Sequence, residues 1–116
     1  MRADALIGPL ADTIELPNFT QFKNESVSFL NHFSVTSPCG PARASLLTGQ
    51  YAMNHRSVRN GTPLAHDTSN LATSLNSKGI EPLLYGYTDT SQDPRMYEEG
   101  DPILTSYEEV LNGFTE

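Results

Sequence analysis

The chain has 116 residues, with 37% apolar side chains, one cysteine and a formal net charge of −7. That is enough for one small domain or part of one, with a thin core, and a single cysteine excludes an internal disulfide. The charge is one-sided. Residues 1–88 carry six acids and six bases, whereas residues 89–116 carry eight acids and only Arg95. No basic stripe exists to neutralise phosphates, which argues against nucleic-acid binding. No run of about eighteen apolar residues exists to span a membrane.

Residues 1–16 are polar and mixed, with Gly8-Pro9 as a turn signal. No apolar core of a signal peptide follows Met1, so the expected location is cytoplasmic. For the same reason the N-x-S/T triplets at Asn18, Asn24 and Asn60 are given little weight as glycosylation sites. Leu16 to Lys23 reads as a short helix entered through Pro17, with Phe19 and Phe22 on one face. In Ser26 to Phe33, Val27, Phe29 and Phe33 alternate with polar residues, which predicts a half-buried strand. His32 within it reads as structural.

Residues 35–49, VTSPCGPARASLLTG, are the most informative stretch. Ser, Pro and Gly around Cys39 predict a turn. Pro41 suits the first position of a helix, Ala42 to Leu47 are good helix formers, and Gly49 suits a C-terminal cap. A thiol just before a helix N-terminus lies near unpaired N–H groups and the positive pole of the macrodipole. Arg43 adds a planar fork of donors one turn later. Separately, a lone cysteine is usually a small buried residue and an arginine at a helix start is usually solvated. A thiol phosphatase is disfavoured, because only three residues separate Cys39 from Arg43.

Gln50 to Ser69 reads as a long irregular stretch, and stretches of that length in a compact domain are usually functional. Asn60-Gly61 fits a tight turn as well as a site. His55, His66 and Asp67 match no standard ligand spacing and are left out of the site. Asn70 to Gly79, with Leu71 and Leu75 four apart, predicts an amphipathic helix. Ile80 to Tyr87 predicts a strand with a parallel neighbour, hence an α/β layer, and ligand contacts follow the C-terminal ends of such strands. Tyr107 to Leu111 predicts a short helical turn. The acidic residues beyond 89 read as a solvated loop.

Cys39-Gly40-Pro41-Ala42-Arg43, continued by Ala44-Ser45-Leu46-Leu47-Thr48-Gly49, resembles the signature of the formylglycine-dependent sulfatases of the alkaline phosphatase superfamily. The continuation through Asn60, with Pro38 ahead of the cysteine, is most similar to the phosphonate monoester hydrolase and arylsulfatase branch. The resemblance implies that a maturation enzyme reads Pro41 and Arg43 and oxidises Cys39 to formylglycine. The hydrated aldehyde would bind a divalent metal (Ca2+ or Mn2+) and attack a small sulfate, phosphonate or phosphate ester. Arg43 would hold the diol and the anionic transition state. Asn60 would donate its amide to the transferring group, and Tyr87 would lie at the substrate pocket.

Asp89 departs from the hydroxyl residue the branch implies, and a carboxylate there would repel an anionic monoester. By the same resemblance, residues 1–116 are expected to be an N-terminal part of an alkaline-phosphatase-like mixed-sheet α/β domain. The opening strand with its metal-binding aspartate, and the C-terminal majority, would lie outside them. Of the metal ligands only residue 39 would be present, and the chain by itself is expected to be inactive and marginally folded. The competing reading is a noncatalytic fragment or anion-binding module. A homo-oligomer is left open.

Overall fold

A computed structural model of the chain describes residues 4–11, 13–106 and 109–115. It divides into two compact units, residues 1–33 and 34–116.

In the first unit, α1 (Asp4–Ile7) ends at the Gly8-Pro9 turn and α2 (Pro17–Asn24) begins with Pro17. The fixed φ of proline and its missing N–H suit that first position. Lys23 Nζ donates to the Leu6 carbonyl at 3.1 Å, joining the two helices. None of residues 6–11 and 13–33 is buried. The strand expected over residues 26–33 is absent. Val27, Phe29 and Phe33 are 76% to 80% exposed, and among the described residues no ladder pairs with them. Alternation favours a strand only where a neighbouring strand accepts its N–H and C=O groups. His32 is exposed.

The second unit is built on α3 (Cys39–Thr48). The helix starts two residues earlier than Pro41 suggests. Cys39 is its first residue, Pro38 is the N-cap, and Ala42 N–H donates to the Pro38 carbonyl at 3.0 Å. Gly49 closes it in the left-handed region, at φ 68, where its N–H bonds the Ser45 carbonyl. Ala44 on α3 packs with Leu64 and Leu111, and Leu47 and Phe114 close the cluster.

The stretch after Gly49 is not wholly irregular, because it includes α4 (Ala52–His55). The predicted helix after Asn70 is α5 (Leu71–Asn76), started by an Asn70–Thr73 capping box. Its inward residue is Ala72, fully buried, whereas Leu71 is 51% exposed. The apolar spacing therefore names the helix but not its buried face.

Ile80 to Tyr87 forms no continuous strand. Leu83 makes one isolated parallel bridge to Thr115, with Leu84 N–H on the Thr115 carbonyl at 2.8 Å. Tyr107 and Glu108 lie outside the described residues. The rest of the helical turn expected at 107–111 is extended, since Glu109 bridges Thr90 antiparallel. The Thr88 hydroxyl, buried, donates to the Glu109 carbonyl at 2.7 Å and accepts from Leu111 N–H at 2.9 Å. The acidic segment is thus pinned in part. Asp93 is buried and caps the 3-10 turn Pro94–Met96, accepting from Arg95 and from His66 N–H. Among the described residues, no helix is long and apolar enough to cross a membrane.

Candidate functional site

The head of α3 leaves backbone N–H groups without partners inside the helix. One of them, Gly40 N–H, donates to the Asn60 side-chain oxygen at 2.9 Å. That bond fixes the amide, because with its oxygen committed the NH2 end must face the other way. It faces Cys39, and Asn60 Nδ2 lies 3.0 Å from Sγ. Cys39 is exposed. The thiol is therefore not packed into an apolar core. It stands at the surface with one amide donor aimed at it.

Close packing makes this arrangement possible. A Cβ on Gly40 would lie 2.8 Å from the Asp89 carbonyl oxygen and 3.1 Å from Asn60 Cα. Only glycine lets the two segments approach α3 so closely. Asp89 is buried, with a left-handed φ of 64, and its carbonyl also accepts from Gly61 N–H at 3.3 Å. Ser91 Oγ donates to the Gly61 carbonyl at 2.8 Å. The 59–61 turn is thus held from the 89–91 segment on one side and from α3 on the other.

Arg43 lies one helical turn after Cys39, on the same face. Its guanidinium donates to the Tyr87 carbonyl at 2.8 Å and sits 4.9 Å from the Tyr87 ring centroid. The four residues singled out from the sequence thus form two pairs, Cys39 with Asn60 and Arg43 with Tyr87. No hydrogen bond joins Arg43 to Cys39 among the described residues.

Sequence reasoning missed three contributors. Gly40 supplies both the N–H and the empty space; its place beside the cysteine was the available signal. The Asp89 backbone carbonyl left no signal. His55, set aside as a ligand, is buried against α3 and bonded to Ser45 Oγ at 2.8 Å. Burial lowers its pKa from the ordinary 6.5. His66 and Asp67 are exposed. Arg95 and the His66 N–H hold the Asp93 carboxyl well below the usual carboxylate range. A shallow concavity of about 700 Å³ lies in the first unit, lined by residues from Ala11 to Glu25, and none of the four candidate residues lines it.

Among the described residues, no three His, Cys, Asp or Glu side chains lie together as a cation site. Residue 39 by itself is at most one ligand, and a hard cation needs several oxygens. The residues present therefore do not make a metal site. They do suit an oxygen-bearing side chain at position 39, because the Asn60 NH2 serves an oxygen acceptor better than sulfur.

Residues 4–113 match the family model described as Sulfatase. The chain is 45% identical over 101 residues to the multifunctional alkaline phosphatase superfamily protein PehA of Trinickia caryophylli, covering 87% of this chain and 20% of that one. It superposes on the phosphonate monoester hydrolase of Silicibacter pomeroyi with a TM-score of 0.93 and 62% identity, covering 100% of this chain and 23% of that one. The corresponding enzyme of Agrobacterium radiobacter gives 0.85 and 45%, over 98% and 23%. The chain thus spans about a fifth of the length of such relatives, and over that span it has their alkaline-phosphatase-like α/β fold.

Proposed function

The chain belongs to the sulfatase family, and from that membership we propose that it carries the nucleophile-bearing part of an ester hydrolase. The substrates are small sulfate, phosphonate or phosphate esters. Residue 39, converted from cysteine to formylglycine by a maturation enzyme, is the reacting side chain. Membership implies formylglycine and a divalent metal in general. The metal, Ca2+ or Mn2+, would draw its further ligands from outside residues 1–116, which form part of a larger catalytic domain.

The observation that carries this reading is the exposed residue 39 at the first position of α3, with the Asn60 amide 3.0 Å from its side chain. A hydrated formylglycine supplies an oxygen nucleophile for sulfur or phosphorus. The residues around it have defined tasks. Asn60 donates to the side chain of residue 39 or to the oxygens of the transferring group. Arg43, on the same face, supplies a fixed positive charge for the anion that develops there. The Tyr87 ring and carbonyl hold the guanidinium in place, so its charge is preorganised. By the resemblance, the carboxylate of Asp89, where the branch has a hydroxyl residue, would repel an anionic ester, and a dianionic one most.

Turnover tests the reading. The protein expressed from its full reading frame, with a competent maturation system, should hydrolyse an aryl sulfate or a phenylphosphonate ester. Cys39→Ala should abolish that activity, and Arg43→Ala should lower kcat by about 10²–10³, the usual cost of one oxyanion donor. Asp89→Asn should raise the turnover of dianionic relative to monoanionic esters. Absence of turnover with residue 39 modified would leave the noncatalytic, anion-binding reading.

A further inference from the structure

We propose that His55 is a positioning residue. Through its neutral tautomer it ties the segment carrying Asn60 to α3, and so sets the Asn60 amide against residue 39. The inference rests on the reading of residue 39 as the reacting position.

The tautomer follows from the bonds. Ser57 N–H donates to His55 Nδ1 at 3.0 Å, so Nδ1 carries a lone pair. The proton is then on Nε2, which donates to Ser45 Oγ at 2.8 Å. A serine–histidine pair at this distance invites a nucleophilic reading, which this tautomer rules out. A general base must accept the hydroxyl proton, whereas this nitrogen already holds one. Ser45 and His55 are also 6% and 8% exposed, so no substrate reaches them.

What remains is a mechanical link. Ser45 lies six residues beyond Cys39 on the same helix. From Ser57 only Val58 and Arg59 lead to Asn60, and Asn60 sits in a closed turn. Thr62 N–H and Oγ1 both donate to the Arg59 carbonyl, at 3.1 and 2.7 Å, and Arg59 N–H returns to Thr62 Oγ1 at 3.2 Å. The imidazole therefore fixes one end of a short rigid segment whose other end touches Cys39. The Ser57 hydroxyl is buried and has no partner among the described residues, so residue 57 enters the link only through its backbone.

The test is a double-mutant cycle. The protein is expressed from its full reading frame without the maturation system, so that residue 39 stays a thiol. Alkylation of Cys39 by iodoacetamide is followed by mass spectrometry of its peptide, and global stability is measured separately by denaturant. Asn60→Ala should slow alkylation severalfold, since it removes the amide N–H that lies 3.0 Å from the reacting sulfur. His55→Ala should slow it similarly, Ser45→Ala in the same direction, and His55→Ala with Asn60→Ala no further than Asn60→Ala by itself. Ser57→Ala should leave the rate unchanged. A 15N-edited spectrum of the imidazole should show the proton on Nε2.

A shift in Asn60→Ala with parental rates in both His55→Ala and Ser45→Ala overturns the positioning role and leaves the site reading standing. Independent, multiplying effects of positions 55 and 60 do the same, as does a proton found on Nδ1. A parental rate in Asn60→Ala overturns both. Should His55→Ala fail to fold, Ser45→Ala carries the comparison.

Discussion

Gly40 is the residue on which the closest packing depends. An alanine there would place Cβ 2.8 Å from a backbone oxygen that cannot rotate away. Gly40→Ala should therefore cost about 1–3 kcal/mol, as overpacking does, and denaturant unfolding would show it. The buried Ser57 hydroxyl makes no hydrogen bond among the described residues. Ser57→Ala should accordingly leave stability unchanged or raise it; a clear loss would mean that the hydroxyl has a partner. Cys39, Arg43, Asn60 and Tyr87 could be named as candidates from the sequence through the family resemblance; their pairing, Cys39 with Asn60 and Arg43 with Tyr87, could not. The His55–Ser45 bond was not legible either. Nothing in the spacing of two polar residues tells which nitrogen holds a proton, or that both side chains are buried.

Helices were more legible than strands because their signals are local. Pro17 opens α2, Gly49 ends α3 and Asn70 opens α5, and each position is decided by caps within one turn. Asn70→Ala should lower stability by about 1 kcal/mol. It removes the bonds to Ala72 N–H and Thr73 N–H as well as one to the Asn112 carbonyl, and thermal unfolding would measure the loss. Ser26 to Phe33 and Ile80 to Tyr87 read as strands because alternation and β-propensity describe a side-chain pattern. Pairing is a long-range property. The second segment finds one bridge partner in Thr115, and the first finds none among the described residues. The start of α3 at Cys39 was also missed, since the partner of Gly40 N–H comes from residue 60.

At the scale of the whole molecule, His55 and Asp93, among the described residues, link stability to pH on the acid side. The folded state lowers the His55 pKa, so the unfolded chain binds the proton more readily. Stability from this group is present above the ordinary value of 6.5 and is lost as pH falls through the lowered one. Asp93 is likewise lowered, chiefly by Arg95. Its contribution is present above the ordinary 3.8 and is lost in stronger acid. Denaturant midpoints should therefore fall in two stages on acidification, and His55→Gln should remove the first. The most direct test of the assignment as a hydrolase is chemical. The full-length protein is coexpressed with a formylglycine-generating enzyme, and the peptide containing residue 39 is weighed. The mass of formylglycine is expected at that position, and is lost when Arg43 or Pro41 is replaced by alanine. An unmodified thiol at residue 39, under conditions that convert a known sulfatase, would contradict the assignment.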